Sequence, residues 1–251
     1  MFFIKEIIKD LKGIIYICLA SLFFSLMSTF VKLCSNNLNL IEIIFLRSII
    51  ATIILTPFIF FLKIRIQTNL FAKHFIRTAI GIIAMFLNFY ALSKLPLSNY
   101  TIVSFAKIFF ILPLAFLFLK ERIKIFFFYY IVLGFSGIII ILGFEDNQKT
   151  LFPYYLISIF ATLLIAYIKI FLKNIAKVEN NFIIQFFFSL ISAGLLLIPF
   201  ILSNPKLVFN DIIFTTLLSI FGLLAQYFTV EGLKSSDAVK VMPFDFSRII
   251  F

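Results

Sequence analysis

Long blocks of apolar residues, separated by short polar breaks, fill almost the whole sequence. A helix needs about 20 mostly apolar residues to cross a bilayer, and the sequence contains a series of blocks of about that length. The blocks lie at residues 13–33, 40–62, 75–95, 97–119, 125–144, 151–172, 182–202 and 212–233. A ninth block begins at Ala238, and turn formers such as Ser203-Asn204-Pro205 occupy the breaks. The pattern predicts an all-α integral membrane protein.

The composition agrees with lipid surroundings. Hydrophobic residues make up 63% of the 251 positions and charged residues 13%, and no water-soluble single domain could keep that much apolar surface away from solvent. The formal charge is +11, but the basic residues fall in short gaps between apolar blocks and form no continuous basic face. We therefore expect a lipid bilayer and a small-molecule substrate as partners, and no nucleic acid.

The basic residues indicate how the chain is oriented, because cytoplasmic loops keep an excess of Lys and Arg. The breaks on the side opposite to the N-terminus hold only Lys94, Lys149 and Lys206. The breaks on the N-terminal side hold Lys5, Lys9, Lys12, Lys63, Arg65, Lys73, Arg77, Lys120, Arg122, Lys124, Lys169, Lys173, Lys177, Lys234 and Lys240. We expect a multi-pass protein of a bacterial inner membrane with its N-terminus in the cytoplasm.

The two halves of the sequence resemble each other. Residues 21–32 align with residues 158–169 at a constant offset of 137, and residues 56–59 align with residues 198–201. Five spans separate the copies, and an odd number inverts the second copy, as in many secondary carriers. The alignment predicts two inverted five-helix repeats with about nine of ten transmembrane helices present. The first repeat covers residues 13–144, and the second, incomplete repeat covers residues 151–251.

Several short segments resemble the EamA domain of the drug/metabolite transporter superfamily. They are Glu42 with Leu46-Arg47, Tyr90-Ala91-Leu92, and residues 117–122, where Glu121 follows the fourth span as a Glu does in the family. Gly134, Gly137 and Gly143 resemble the glycine-rich fifth helix of the repeat. The resemblance implies a ten-helix secondary carrier that is not an enzyme and needs no cofactor.

Within the superfamily, residues 103–105 and 236–244 are most similar to the S-adenosylmethionine uptake carriers of obligate intracellular bacteria. The resemblance therefore implies uptake of S-adenosylmethionine, with export of amino acids or drugs as the alternative. A membrane-embedded enzyme and an inactive remnant of a carrier are alternatives of another class. An enzyme would need clustered His, Asp or Cys at one depth, whereas His74, the only histidine, falls in a basic break where we expect it to be exposed.

Lys107 is the strongest candidate for a functional charge. It lies about ten residues into its span, which places it near 15 Å deep, close to the bilayer midplane. A charge at that depth needs a partner, and the repeat alignment favours Asp245 first and Glu231 second. Arg248 shares a helical face with Asp245 and can also neutralise it. A structural ion pair and a substrate or proton site both stay open.

Small polar residues form a stripe on the first span. Ser21, Ser25, Ser28 and Lys32 fall on one helical face, and the second half repeats the spacing with Ser158, Thr162 and Lys169. The stripe is typical of a cavity wall. It is equally typical of closely packed helices whose lysines extend to an interface.

A cationic amino-acid substrate such as S-adenosylmethionine suggests one role for each candidate. Its sulfonium and ammonium groups would contact Asp245 or Glu231, its carboxylate Lys107, and its adenine Tyr90 or Tyr227. The full set of predicted substrate-binding residues is Lys107, Asp245, Glu231, Tyr90, Tyr227, Lys32 and Ser25. Arg47, Glu42 and Glu121 are predicted to be structural, and no catalytic or metal-binding residue is predicted.

The last apolar block, residues 238–251, is too short to cross about 30 Å of hydrocarbon. We therefore expect the chain by itself to show no uptake and its end to move toward an interface. An extension of about 30–40 residues should restore uptake by completing two helices. Because the sequence has no Walker loop, transport must draw on a gradient or on exchange. A homodimeric assembly stays open.

The charge distribution generates a topology prediction that reporter fusions can check. Fusions at Lys73, Arg122 and Lys177 should report the cytoplasm, whereas fusions at Asn36, Asn147 and Lys206 should report the periplasm. A cytoplasmic signal at Asn147 would contradict the inversion of the second repeat.

Overall fold

The computed structural model describes residues 2–121 and 148–251, together with residues 129, 133 and 136. Within this part of the chain the regular structure is helical throughout. The helices that are long and apolar enough to cross a membrane are Ile8–Cys34, Leu40–Phe61, Phe71–Lys94, Leu97–Leu119, Leu151–Ala176, Asn181–Leu202 and Phe209–Ser235. They coincide with seven of the predicted spans. Apart from residues 129, 133 and 136, the predicted fifth span, residues 125–144 with Gly134, Gly137 and Gly143, lies outside the described residues.

The helices are numbered in chain order. They are α1 (Phe2–Cys34), α2 (Leu40–Phe61), α3 (Phe71–Lys94), α4 (Leu97–Ser104), α5 (Ala106–Leu114), α6 (Gln148–Ala176), α7 (Asn181–Leu202), α8 (Phe209–Ser235) and α9 (Ala238–Val241). A π-helical segment, Ala115–Leu119, continues α5, and a 3₁₀ helix, Met242–Ile249, continues α9. The predicted fourth span is therefore one membrane crossing with an interruption at Phe105.

Local side chains explain where the helices begin. The Asn180 side chain accepts a hydrogen bond from the Phe182 N–H, which satisfies one of the free amides at the start of α7. At the start of α2, Glu42 accepts a hydrogen bond from the Asn39 N–H at 2.9 Å. Pro96 directly precedes α4, where its missing N–H costs nothing.

Helices of the first half of the chain pack mainly on helices of the second half. The main pairs are α1 with α8, α2 with α7, and α3 with α6. Glycine permits the closest of these approaches, because a Cβ added to Gly232 would lie 2.8 Å from Ile17 Cδ1. Phe23 stacks on Phe228 along the same contact, with ring centroids 5.7 Å apart. The centre of the bundle therefore lies between the two halves.

Equivalent contacts recur 141 positions apart. Gly81 packs against Phe188, and Gly222 packs against Arg47. Gly222 lies 141 positions after Gly81, and Phe188 lies 141 positions after Arg47. The left-handed residues after α2 and α7, Lys63 and Asn204, have φ values of 50° and 49° and the same spacing. The contacts thus favour an offset one helical turn longer than the 137 found by aligning residue types.

The longer offset changes which residues correspond. At 141, Lys107 corresponds to Arg248, whereas the sequence alignment placed its counterpart near Asp245. The sequence alignment rested on the match between Ser21 and Ser158. The positions of helix starts and turns, more than identical serines, determine which residues make equivalent contacts. Asp245 is still the partner of Lys107.

Glu121 joins three elements at one end of the bundle. Its carboxylate lies 2.7 Å from Lys173 Nζ of α6 and accepts hydrogen bonds from the N–H groups of Ala238 and Val239 at the start of α9. A carboxylate at a helix N-terminus is favoured by the free amides and by the helix dipole. Lys173 also donates to the Ser236 carbonyl. Glu121 is therefore in a position to serve the structural role predicted for it.

The last segment of the chain buries its charged side chains, whereas Ile250 and Phe251 are 81% and 55% exposed. The 3₁₀ helix lies against α1, and Asp245 and Arg248 within it are 1% and 6% exposed. Both charged side chains have partners on α1 and α5, which hold this segment in place. The expectation that the end of the chain moves toward an interface stays a prediction.

We predict that Glu121→Gln destabilises the protein. The substitution removes the charge that pairs with a nearly buried Lys173 and weakens the cap on α9, which should cost about 1–3 kcal/mol and lower the Tm by roughly 5 °C. Thermal unfolding of the purified protein in detergent would measure the change. Asp237→Asn is the matched control, because Asp237 is exposed and its 3.8 Å contact with Lys240 should contribute little. Equal effects of the two substitutions would contradict the role given to Glu121.

Candidate functional site

Two adjoining cavities occupy the centre of the bundle. The larger has a volume of about 130 Å³ and is bounded by α1, α2, α3, α6, α7 and α8. Its polar lining consists of Arg47, Arg77, Asn88, Lys169, Gln226 and Thr229. The smaller, about 60 Å³, extends toward Lys107 and Arg248 and shares Phe24, Met27 and Lys169 with the larger. Both halves of the chain therefore contribute to one central space.

Lys107 and Asp245 form a buried ion pair. Lys107 Nζ lies 2.5 Å from Asp245 Oδ2, and the two residues are 5% and 1% exposed. The contact is a charge pair by distance and not a well-directed hydrogen bond. Ser21 donates from Oγ to Asp245 Oδ1 at 2.9 Å. The predicted partnership is thus present, and its role in substrate binding stays a prediction.

Arg248 turns toward α1. Its guanidinium donates to the Phe24 carbonyl at 3.2 Å and to Ser28 Oγ, and it lies 6.0 Å from the centre of the Tyr100 ring. In the described part of the chain no carboxylate lies within 4.0 Å of it, so the predicted neutralisation by Asp245 is not a direct contact. The serine stripe of α1 contributes to the site through Ser21 and Ser28, which bind these two charged residues.

Lys169 lies on the cavity wall and does not extend to an interface. It is 8% exposed, its Nζ is 3.3 Å from Thr229 Oγ1, and it lies 5.2 Å from the centre of the Phe24 ring. The interpretation that this lysine reaches an interface is therefore wrong. Lys169 lines both cavities, so it is the cation that connects them.

Two of the cations that line the cavities were not predicted from the sequence to be site residues. Arg47, interpreted as a tie between helices, lines the larger cavity, where Met85 Sδ at 3.3 Å is the partner of Nη1. Arg77, counted with the cytoplasmic breaks, is 2% exposed and lies over the Phe188 ring at 4.9 Å. For Arg47 the available signal was its depth, since it lies seven residues inside its predicted span with no acidic residue one turn away. Arg77 lies only two residues inside the predicted span 75–95, so no such signal was available for it.

Five predicted substrate-binding residues lie away from both cavities. Lys32 donates to three carbonyl oxygens at the end of α3, at 2.8–3.0 Å, and so caps that helix. Tyr90 packs on Tyr154, Tyr227 packs on Phe182, and Glu231 accepts a hydrogen bond from Asn181 at 2.9 Å. Ser25 is half-buried, and its carbonyl accepts from Thr29. These residues contribute to helix packing and capping in this structure.

His74 is buried, which corrects the expectation that it is exposed. Its Nε2 lies 2.5 Å from Glu179 Oε2, and its ring stacks on Phe187 with centroids 5.1 Å apart. Thr68 donates to the other oxygen of Glu179. The sequence could not show this contact, because it joins α3 to the connection between α6 and α7. His74 therefore ties the two halves together at one end of the bundle.

Glu42 also joins the two halves, at the opposite end. Besides capping α2, it accepts a hydrogen bond at 3.0 Å from Ser203, the residue that follows α7. This contact agrees with the predicted partnership between Glu42 and a neighbouring helix. Arg47, one helical turn and a half further along α2, points to a different set of neighbours.

A bundle of membrane-crossing helices around a central, charge-lined cavity defines the class of multi-pass membrane transporters. The model of the EamA-like transporter family matches residues 11–143, which is more than half of the chain. The chain therefore belongs to the EamA-like transporter family.

Similar proteins carry transporter names. An uncharacterized transporter of Helicobacter pylori is 27% identical over 252 residues, covering 95% of this chain and 83% of that protein. The pseudopaline exporter CntI of Pseudomonas aeruginosa is 25% identical over 213 residues, covering 84% and 72%. The S-adenosylmethionine uptake transporter of Rickettsia prowazekii is 25% identical over 244 residues, covering 96% and 81%. The predicted resemblance to the EamA family, with a distant link to S-adenosylmethionine carriers, is confirmed.

A solved crystal structure shows the same fold. It superposes on 95% of this chain and 85% of its own with a TM-score of 0.73, at 16% sequence identity. The likeness confirms the helical architecture of the described residues.

We predict that Lys107→Met reduces the amount of folded protein, because it leaves Asp245 buried without its counter-ion at a cost of about 3–5 kcal/mol. Adding Asp245→Asn should restore expression, since the pair is then neutral. Size-exclusion chromatography of the detergent-solubilised protein measures the folded fraction, with Lys63→Met at an exposed position as the control.

Uptake separates the two roles of the pair, and it is measured on a chain extended to complete its last two helices, because the 251-residue chain is expected to be inactive. If Lys107 contacts substrate, uptake by the extended double variant stays lost although its folding recovers, and this is the expected result. Recovery of folding and uptake together would make the pair purely structural. Normal folding and normal uptake in both single variants would remove Lys107 from the site.

Proposed function

We propose that the protein is a secondary carrier that moves a small metabolite across the bacterial inner membrane by alternating access around the central cavity. The observation that carries the proposal is the position of that cavity, between the two halves of the chain and lined by buried charged side chains. Ionisable residues inside a membrane protein usually mark the path of a substrate or ion. The family and the named relatives are transporters, not enzymes.

The packing supports two repeats that move against each other. Helix α1 packs on α8 as α3 packs on α6. Exchanging α1, α2 and α3 with α6, α7 and α8, respectively, reproduces the same pairs. The contacts that recur 141 positions apart agree with this exchange. In carriers built from inverted repeats, the substrate site lies at the repeat interface near the midplane. We propose five helices in each repeat and a cytoplasmic N-terminus on the charge distribution.

The names of two relatives suggest two candidate substrates, S-adenosylmethionine and pseudopaline. One relative is called an S-adenosylmethionine uptake transporter and another a pseudopaline exporter, so uptake and export both enter the proposal. The subsites first assigned to S-adenosylmethionine do not meet in this structure, because Tyr90, Tyr227 and Glu231 lie away from the cavities. Asp245 is near the smaller cavity, but Lys107 and Ser21 already engage its carboxylate. The geometry therefore supports a carrier more strongly than it supports this substrate.

Transport by the purified protein in proteoliposomes tests the proposal. The assay compares the 251-residue chain with the same chain carrying a C-terminal extension of about 30–40 residues, long enough to complete two helices. Radiolabelled S-adenosylmethionine, amino acids and dicarboxylates are offered outside and, for counterflow, inside the vesicles. We expect saturable, gradient-dependent or exchange-dependent transport of at least one substrate by the extended chain, and background transport by the 251-residue chain.

Protein-free vesicles and an Arg65→Gln variant, altered at an exposed position, are the controls. Transport by the 251-residue chain would support the carrier and contradict the expectation that it is inactive by itself. Failure of both forms to move any substrate, when both are folded, would contradict the proposed function.

A further inference from the structure

The two central cavities are lined by cations and by no acidic residue. Among the described lining residues, the basic ones are Arg47, Arg77, Lys107, Lys169 and Arg248. The one carboxylate in contact with this group, Asp245, is paired with Lys107. Four buried cations are thus left without a carboxylate within 4.0 Å in the part of the chain that the structure describes.

Three of these four cations have only weak partners, whereas Arg248 donates to the Phe24 carbonyl and to the Ser28 hydroxyl. Arg47 reaches a thioether sulfur, Arg77 a carbonyl oxygen at 3.4 Å, and Lys169 a hydroxyl at 3.3 Å. The Nε atoms of Arg47, Arg77 and Arg248 are buried and have no hydrogen-bond acceptor among the described residues. These arginines are 6%, 2% and 6% exposed, so their donors face the protein interior and the cavities.

Such an arrangement costs stability unless an anion completes it. A buried charge without a counter-ion carries a desolvation penalty of several kcal/mol, and contacts with aromatic rings recover only part of it. An anion entering the cavity would meet Arg donors that suit carboxylate and phosphate oxygens. The interaction is strengthened because the site is shielded from water.

Resting on the proposed function, we propose that the transported substrate is a small organic anion that carries a carboxylate or phosphate group on an apolar body. Arg47 and Lys169 bind its anionic group from opposite halves of the chain. The apolar lining of the larger cavity, which includes Phe24, Met85 and Phe188, contacts the body. The cavities, at about 130 and 60 Å³, are smaller than typical sites for drug-sized molecules, which favours a compact ligand.

The positive charge of the cavity lining also favours anionic ligands over cationic ones. A ligand with a net positive charge, such as S-adenosylmethionine, would add a cation to a space that already holds an excess of four. Like charges in a low-dielectric interior repel strongly, so anions should bind well ahead of such a ligand.

Ligand-induced stabilisation of the purified 251-residue protein tests the inference without requiring transport. The Tm is measured in detergent with succinate, benzoate, inorganic phosphate or S-adenosylmethionine, at constant ionic strength set with sodium chloride. We expect a saturable rise on the order of 5–10 °C with at least one anion near 100 times its Kd, and no comparable rise with S-adenosylmethionine. Carboxylates and phosphate are separate arms, so the result also identifies the anionic group.

Substitutions locate the binding. Arg47→Gln and Lys169→Gln should each weaken anion binding at least about tenfold, and Arg47→Lys should weaken it less because it keeps the charge. Arg65→Gln, which removes an exposed arginine, is the matched control and should bind normally. Without ligand, the Tm of Arg47→Gln should be unchanged or higher, because an uncompensated buried charge is gone. A structural tie would instead lose stability.

Several outcomes would overturn the inference. They are the absence of stabilisation by any of the anions, preferential stabilisation by S-adenosylmethionine, or an equal loss of binding in Arg65→Gln. Should Arg47→Gln fail to fold, Lys169→Gln and Arg47→Lys still provide the comparison. Anion binding without transport in the extended chain would support the anion site and refute the proposed carrier. Transport of cations alone would support the carrier and overturn the inference.

Discussion

The cost of burying positive charge inside an apolar helical bundle is the constraint on which the centre of this protein depends. Where a carboxylate is present, the protein uses it, as Lys107 and Asp245 show, and Ser21 then satisfies a further oxygen of the carboxylate. This pair also fixes the end of the chain, because Asp245 and Arg248 hold the 3₁₀ helix against α1 and α5. One charge at mid-depth thus positions a whole segment. The buried cations that lack a carboxylate partner carry the same energetic cost, which an anionic ligand could offset.

The sequence predicted the spans well because bilayer thickness sets their length, and an apolar run of that length has few other uses. It also predicted the partner of Lys107, since few carboxylates lie deep enough in the chain to reach it. The partner was predicted correctly although the contacts favour an offset of 141 over the aligned 137, because Asp245 lies three residues before Arg248, which is 141 positions after Lys107. Depth along a helix was therefore readable from the sequence, even where the exact correspondence between repeats was not.

What the sequence could not show is the direction in which each side chain points. Arg77 and His74 lie close to the start of α3, and their neighbours Lys73 and Arg65 made a basic, exposed break the natural interpretation. Both are buried, because α3 turns this face toward α6 and α7. The rings of Tyr90 and Tyr227 face neighbouring aromatic residues away from the cavities, and their role in substrate binding stays a prediction. Rotation about the helix axis is decided by tertiary packing, which periodicity indicates only weakly in helices that are apolar on every side.

The two ends of the bundle are held by different chemistry. At the end where α1 and α3 begin, the ion pair of Glu121 with Lys173 joins the halves, and His74 Nε2 lies within hydrogen-bond distance of the Glu179 carboxylate. All four side chains are at most 9% exposed. At the other end the halves meet through hydrogen bonds from neutral donors, from Asn37 to Asp211 and from Ser203 to Glu42. Partly buried charge pairs resist separation more than single hydrogen bonds do, because each charge must regain water when they part. In an alternating-access cycle the two openings would therefore differ in free energy, and binding of a charged substrate between the halves would have to offset the larger of the two.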